Sequence, residues 1–328
     1  MPRINIAEMQ TGQMIDQVFL LARRDIRSAR NNTLYLAAEL ADRSGSVSAK
    51  MWNLNEAAAK RLPDVGPVRA RGRVDSYQGA NQVLIDNIQW VELSEEEAAE
   101  LLPRSPHDPE EMFAELVEIM GAVTHPDLRA LLDAFLADAD KMRRLRLAPA
   151  AMHMHQPYLG GLLEHTLSVA KLARDCLPRF DVIDMNLMLT AVFLHDIGKI
   201  DELAYAGAFD YTDRGRLVGH LIIAVEWLGE KIRQLDAERD EPFPDDLKMV
   251  LEHLILAHHG EHEYGSPKLP MTAEAIALHF LDNMDAKLFR FGYDVANDAD
   301  PTSTFTQKSY MFGRRLYKRR VLDGDKPQ

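Results

Sequence analysis

Residues that bind metal ions in many enzymes are concentrated in one part of this 328-residue chain. Ten of its twelve histidines lie between positions 153 and 279. The pair His195-Asp196 directly follows the apolar run Leu187–Leu194 and precedes Gly198, a residue type that often ends helices. A helix that ends in this way places imidazole and carboxylate ligands at the edge of a buried core. That combination suits Mn, Fe, Ni, Co or Zn.

Further residues of the same two types lie beside other apolar helical stretches, namely His165, His220, the pair His258-His259, and Asp282. A single histidine near a helix end is more often a cap or a hydrogen-bonded core residue. Buried imidazoles and carboxylates are costly without partners, so the whole set favours a shared metal site. Asp285 is a rival to Asp282 as the last ligand, because it lies one helical turn further along.

Helices must position these residues, because apolar residues recur with a helical period from Glu110 onward. The pattern predicts helices over Leu162–Cys176, Met185–Ile197, Leu217–Leu235, Leu247–Ala257 and Ala273–Phe289. The second domain, residues 110–300, is therefore predicted to be all α. An acidic, proline-rich segment, 94–109, is predicted to link it to the residues before it.

The first 93 residues alternate apolar and polar side chains in five predicted strands, with a helix between the third and the fourth. Asn31-Asn32 is a predicted turn between the first two strands. This order resembles the OB-fold, a small barrel that often binds single-stranded nucleic acid or oligosaccharide. The fold class is thus multi-domain, with an all-β OB-fold barrel at 1–93 followed by an all-α domain.

Two groups on this barrel are predicted to bind substrate. Arg69, Arg71 and Arg73 alternate along one strand and therefore share one of its faces. Trp52, with Tyr35 and Tyr77, could stack on bases as aromatic residues of single-strand binders do. The alternative is a solvated strand face for the arginines and ordinary barrel filling for the aromatic residues.

Charge and composition limit the classes of protein. The net charge is −13, but residues 1–93 carry 12 cations and 10 acids, a local charge of +2. The tail, 301–328, includes six cations and no acid between Lys308 and Arg320, and it is predicted either to hold a phosphate backbone or to be a disordered end.

The single cysteine excludes an intramolecular disulfide. No apolar run approaches the roughly 18 residues of a membrane helix, so we expect a soluble, cytoplasmic protein without membrane contact.

The order His165, His195-Asp196, Asp282 resembles the HD-domain phosphohydrolase superfamily, and Lys199 fits the same pattern. The additional His220 and His258-His259 resemble the larger ligand set of HD proteins that hold two metals. The superfamily pattern alone is compatible with many substrates.

Longer motifs resemble the YhaM-type 3′→5′ exoribonucleases, in which an OB-like domain precedes the HD domain. They are Gly160–Thr166 (GGLLEHT), His258–Glu261 (HHGE) and Glu263–Pro267 (EYGSP). The resemblance runs from about Gly12 to Phe291. It departs from the family where paired histidines often precede the glycines, because this chain reads His153-Met154-His155, and the role of His155 stays open.

The resemblance implies two divalent ions, with Mn first and Fe, Ni or Co as alternatives. His165, His195, Asp196 and Asp282 would hold the first ion, with Asp196 as a possible bridge to a second held by His220, His258 and His259. Asp196 and Lys199 are the predicted catalytic residues. Lys199 would contact a phosphate oxygen or orient the attacking hydroxide, and its alternative is a solvated helix-end cation. Arg214, Tyr264 and Ser266 flank the ligands and are predicted to contact substrate.

The leading hypothesis is a metal-dependent exonuclease that hydrolyses single-stranded RNA, and also DNA, from the 3′ end with metal-activated hydroxide. One alternative is an HD-domain phosphohydrolase of nucleotides or cyclic dinucleotides. Another is a non-catalytic regulator that binds nucleic acid, although a protein without catalysis has no physical need for the complete set of metal ligands. Whether the chain forms a homo-oligomer is left open.

Overall fold

The computed structural model describes residues 3–28, 33–77, 79–94, 97, 100–152, 156–205 and 209–319. The predicted turn at Asn31-Asn32, the stretch that contains His155, and Arg320 lie outside these residues. The chain forms two compact units. One comprises Met1–Arg104 and Ala204–Asp210, and the other comprises Ser105–Leu203 and Tyr211–Gln328.

The first unit contains a closed five-stranded barrel. Its elements are β1 (Met14–Ser28), β2 (Leu34–Asp42), β3 (Gly45–Met51), α1 (Glu56–Arg61), β4 (Gly66–Tyr77) and β5 (Ala80–Trp90), after a short 3₁₀ helix at Ile6–Glu8. The strand order around the barrel is β1-β2-β3-β5-β4, and β3 pairs with β5 in parallel while the other pairs are antiparallel. The predicted five strands, with one helix between the third and fourth, are confirmed.

Alternation in β4 shows why these residues form a barrel. Val68, Ala70 and Val74 are completely buried, whereas the arginines between them are exposed. A strand with this period-two pattern must cover an apolar interior on one face and meet solvent on the other. Gly72 continues the buried face at a register shift against β5, where a Cβ would lie 2.1 Å from the Leu84 carbonyl oxygen. The close backbone approach there requires glycine.

The second unit is helical, as predicted. Its helices are α2 (Pro109–Met120), α3 (Pro126–Leu136), α4 (Ala139–Leu145), α5 (Gly161–Cys176), α6 (Met185–Leu194), α7 (Lys199–Glu202), α8 (Asp213–Leu217), α9 (His220–Glu238), α10 (Asp245–Ala257) and α11 (Ala273–Ala296). Short strands β6 (Leu203–Ala204) and β7 (Asp210–Tyr211) and a 3₁₀ helix at His262–Tyr264 lie between them. No helix in the described ranges has the length and apolar character that crossing a membrane needs.

Helix α6 is the centre of this unit. Asp184 caps its first turn by accepting hydrogen bonds from two backbone N–H groups, and every residue from Met188 to Leu194 is buried. A helix that is apolar on all sides has to be surrounded by other helices. It ends at Leu194, three residues earlier than predicted, in a turn that carries His195 and Asp196.

The described part of the tail forms an antiparallel hairpin of β8 (Phe305–Lys308) and β9 (Arg315–Tyr317). Leu316 and Thr306 are buried, and Lys318 pairs with Asp298 at 2.9 Å. The Ser309 hydroxyl donates to the Asp294 carboxylate on α11. Residues 301–319 are therefore ordered against the helical unit, and a contact of this tail with a phosphate backbone stays a prediction.

Candidate metal centre

Two groups of three ligand residues lie at the end of α6. One is His165, His195 and Asp282, and the other is His220, His258 and His259, with ligand atoms in each group within 4.8 Å of one another. The residues come from α5, the turn after α6, the start of α9, the end of α10 and the middle of α11. The structure therefore brings together all seven predicted ligands, once Asp196 is included.

Asp196 lies between the two groups, with one carboxylate oxygen turned toward each. Oδ2 is 3.6 Å from His165 Nε2 and 3.5 Å from His195 Nε2. Oδ1 is 3.5 Å from both His220 Nε2 and His258 Nε2. A carboxylate so placed can contact two cations at once, one through each oxygen.

The donor set fits divalent cations. The side chain of Asp196 is 2% exposed, yet its Oδ1 makes no hydrogen bond within the described part of the chain, which is costly for a buried charged oxygen. The Nε2 atoms of His165 and His195 are 3.4 Å apart, and those of His220 and His259 are 3.3 Å apart. Two imidazole lone pairs at this distance repel unless a proton or a metal lies between them. Imidazole nitrogens and carboxylate oxygens are ligands of Mn, Fe, Co, Ni and Zn.

Burial and charge set the protonation of the ligands. Burial lowers the pKa of His195 to about 4 and that of His259 to about 3, so both are neutral near pH 7 and offer a lone pair. Burial opposes protonation of His165 as well, but hydrogen bonds to Asp282 and Asp285 raise its pKa to about 10. His165 and Asp282 would hold a cation in place of that proton.

Lys199 is buried and donates to Asp196 Oδ2 at 2.6 Å. Burial alone would raise the pKa of Asp196, but Lys199 and the nearby imidazoles hold it well below its usual range. The alternative of a solvated cation at the helix end is therefore wrong for Lys199. Its predicted contact with substrate or hydroxide stays a prediction.

Asp282 and Asp285, the two candidates for the last ligand, contact opposite sides of the His165 ring. Asp282 Oδ1 is 3.1 Å from Nε2 of His165, on the side of the ring that faces the other ligands. Asp285 Oδ2 is 2.7 Å from Nδ1 of the same ring, on its far side. Asp282 therefore lies among the candidate ligands, and within the described residues Asp285 contacts this group through His165. That Asp282 is the last ligand stays a prediction.

A cavity of about 350 Å³ opens onto the site, within the usual size of about 300–1,000 Å³ for small-molecule pockets. Asp196 and Lys199 line it together with Tyr264, Lys287 and Met311. Sequence reasoning missed the last two. Lys287 resembles any solvated cation of a long helix, and Met311 belongs to the hairpin that was not predicted.

The other predicted substrate residues near the site have different surroundings. Tyr264 is exposed and lines the cavity. Arg214 is about half exposed and pairs with Glu226. Ser266 is buried, and its hydroxyl contacts the carbonyl oxygens of Leu256 and Lys268. Ser266 thus stabilises the loop that follows α10, and the structure does not place its hydroxyl in the cavity.

On the barrel, the three arginines of β4 share the outer face, where Arg69 pairs with Asp16 at 2.7 Å. Trp52 is 52% exposed and its ring centroid is 5.0 Å from that of Tyr35. The Lys50 ammonium lies 5.8 Å from the Trp52 ring and 4.9 Å from the Tyr77 ring. We call these four residues, Tyr35, Lys50, Trp52 and Tyr77, the aromatic platform. Trp52 and Tyr77 are both more than half exposed, so the alternative of barrel filling is wrong for these two, whereas Tyr35 and Lys50 are half-buried.

Gly198 controls the distance between Asp196 and His220. A Cβ at Gly198 would lie 2.1 Å from the His220 carbonyl oxygen and 2.9 Å from the Ala224 nitrogen, both backbone atoms of α9. We expect Gly198→Ala to lower the free energy of unfolding by about 1–3 kcal/mol, because the backbones must separate. Thermal melts should show a melting temperature several degrees lower.

The matched control is Gly292→Ala on α11, where a Cβ would meet nothing within 4 Å. We expect it to be neutral or stabilising, since alanine is the better helix former. An unchanged melting temperature for Gly198→Ala would contradict the close-approach argument.

The two histidine groups around Asp196, inside a helical unit, define an HD-domain metal hydrolase. The HD domain family matches residues 162–287, which contain all seven predicted ligand positions, and it implies dependence on a divalent metal. The chain is 31% identical over 282 residues to the 3′-5′ exoribonuclease YhaM of Bacillus subtilis (strain 168), covering 85% of this chain and 87% of that protein. It is 29% identical over 313 residues to the protein of the same name from Bacillus velezensis, covering 94% and 95%. The chain belongs to the YhaM family.

A comparison with solved structures finds the second OB-fold domain of replication protein A from Methanococcus maripaludis. That domain is 22% identical, with a TM-score of 0.21, and the match covers 28% of this chain and 96% of that chain.

Proposed function

We propose that this protein is a metal-dependent 3′→5′ exonuclease that hydrolyses the phosphodiester bonds of single-stranded RNA, with single-stranded DNA as a further substrate. The observation that carries the proposal is the placement of Asp196, with one oxygen toward each of two ligand groups inside a cavity. The two YhaM relatives are named as 3′-5′ exoribonucleases, which supports the choice of RNA and the direction of degradation.

When bound, a pair of divalent ions lowers the pKa of water and neutralises the phosphoryl oxygens during in-line displacement. Asp196 lies between the two ligand groups and supplies negative charge to both. Lys199 fixes the Asp196 carboxylate through Oδ2 and keeps its own charge at the cavity wall. There it can contact a phosphate oxygen of the substrate.

The bound ions are two Mn²⁺ ions in this proposal. Five imidazoles and two carboxylates form two ligand groups, which match two ions better than one. The choice of Mn rests on chemistry alone, since Fe, Co and Ni accept the same ligands.

The barrel supplies the second part of the function. The aromatic platform offers ring faces to bases, and stacking of this kind tolerates any sequence. Arg71 and Arg73, exposed on the outer face of β4, add positive charge for the backbone. Such a surface favours a polymer substrate over a mononucleotide.

The test uses single-stranded RNA labelled at its 5′ end, incubated with the full-length protein and Mn²⁺. We expect a ladder of labelled products that shorten progressively, because removal from the 3′ end leaves the label on every intermediate. Immediate release of labelled mononucleotide would show the opposite direction and contradict the proposal. A chelator should stop the reaction, and added Mn²⁺ should restore it.

The same assay distinguishes the alternatives. Faster turnover of nucleotides or cyclic dinucleotides than of RNA would favour a small-molecule phosphohydrolase. Tight RNA binding without product in the presence of Mn, Fe, Co or Ni would favour a regulator without catalysis. The cytoplasmic location and the oligomeric state stay predictions.

A further inference from the structure

We propose that Asp285 and Glu202 are positioning residues of the metal centre, each orienting one histidine of one ligand group. The inference rests on the proposed two-ion site and assigns each ion its own supporting carboxylate. Neither residue belongs to the ligand groups themselves. Each acts from the far side of an imidazole whose other nitrogen faces the site.

Asp285 is held in place for this role on the first group. Its Oδ2 is 2.7 Å from His165 Nδ1 and 3.4 Å from Gln156 Nε2. Its Oδ1 accepts a hydrogen bond from the Ser168 hydroxyl. Since an ionised carboxylate only accepts, Nδ1 of His165 must carry a proton. That leaves Nε2 of His165 to face His195 and Asp282.

Glu202 has the corresponding place on the second group. Its Oε1 is 2.9 Å from Nδ1 of His220 and accepts the backbone N–H of the same residue at 3.0 Å. One oxygen thus fixes both the first turn of α9 and the ring at its start. The Nε2 atom of His220 is left to face His259 and Asp196.

Two of the three remaining histidines, His195 and His258, have backbone support, whereas Nδ1 of His259 makes no hydrogen bond within the described residues. His195 Nδ1 is 2.7 Å from the Val192 carbonyl oxygen, and His258 Nδ1 is 2.8 Å from the Ile255 carbonyl oxygen. In both cases the acceptor lies three residues earlier in the helix. Each group therefore has one imidazole held by a backbone carbonyl and one held by a carboxylate. Only the carboxylates add negative charge, which makes the imidazole a stronger ligand.

We expect each carboxylate to affect the affinity of the protein for one of the two ions. Loss of such a supporting partner typically lowers metal affinity by about 10- to 100-fold. Asp285→Ala should weaken the ion at His165, His195 and Asp282, while Glu202→Ala should weaken the other ion. The amide variants Asp285→Asn and Glu202→Gln keep an acceptor but lose the charge, so their affinity should fall by about tenfold.

The experiment titrates Mn²⁺ into the full-length protein by calorimetry and counts bound Mn per chain after dialysis. Wild-type protein should hold two ions, and each alanine variant should hold one tightly and one weakly. Asp285→Ala combined with His165→Ala should lose no more affinity than His165→Ala alone, because both changes affect the same ligand. Asp285→Ala combined with His258→Ala should lose both ions.

Asp175→Asn is the matched control, because this carboxylate is exposed near the end of α5 and pairs with Arg174. Wild-type affinity in the alanine and amide variants would overturn the proposal. Equal loss of both ions from one substitution, in a protein with an unchanged melting temperature, would overturn it too. The amide variants preserve volume and decide the question if the alanine variants do not fold. Hydrolysis of the labelled RNA is measured separately. Two bound ions without hydrolysis would refute the proposed function but not the positioning role of the two carboxylates.

Discussion

Asp196→Asn is expected to reduce hydrolysis of single-stranded RNA by about 10³-fold at saturating Mn²⁺. The substitution removes the negative charge that Asp196 turns toward both ligand groups and replaces one of its two acceptor oxygens by a donor. Metal stabilisation of the transition state amounts to several kcal/mol, and each 1.36 kcal/mol corresponds to a tenfold rate change. Single-turnover rates on 5′-labelled RNA, together with bound Mn per chain, measure the effect.

Asparagine is preferred to alanine here because of Lys199. The buried Lys199 ammonium donates to Asp196, and a variant without any acceptor would leave that cation unpaired, at a cost of about 3–5 kcal/mol. The asparagine carbonyl still accepts, so we expect the fold to survive and the ions to be lost. Asp175→Asn again serves as the exposed control. More than a tenth of wild-type activity in Asp196→Asn, with Mn still bound, would contradict the bridging role.

Much of the fold is local in origin and therefore readable from the sequence. The alternation of Val68, Ala70 and Val74 with arginines matches a strand with one buried face, as observed. The apolar run that ends at Leu194 matches a helix buried on all sides. The period of the apolar residues indicates which face of a strand or helix is buried, and these elements form because that face is buried.

The contacts within the site depend on the fold and have no local signal. Asp282 and Asp285 lie one turn apart on α11, and only the position of α5 decides that one meets Nε2 and the other Nδ1 of His165. Glu202 carries no pattern that would pair it with His220, because the two residues meet through the short α7 and the start of α9. The hairpin of β8 and β9 was missed because two strands of four and three residues are too short to show alternation.

Trp52→Ala is expected to weaken binding of single-stranded RNA by about 5- to 150-fold. Stacking of one base on an aromatic side chain is worth about 1–3 kcal/mol, and about 1.4 kcal/mol corresponds to a tenfold change in Kd. The Trp52 side chain packs against Tyr35 and lies beside Lys50, so its ring is held in place before RNA arrives. Fluorescence anisotropy with labelled RNA measures Kd, and hydrolysis at saturating RNA should be unchanged.

Trp90→Ala is the matched control for this prediction. Trp90 ends β5 of the same barrel and is 50% exposed, against 52% for Trp52, but it makes no ring contact within the described residues. If both variants lose the same affinity, exposed apolar area alone explains binding and the aromatic platform has no special role. The salt dependence of Kd distinguishes the contribution of stacking from that of charge. Arg71→Ala should reduce the slope of log Kd against log salt concentration, whereas Trp52→Ala should leave that slope unchanged. A lower slope in Trp52→Ala would show that Trp52 acts by placing the Lys50 charge and not through its own ring.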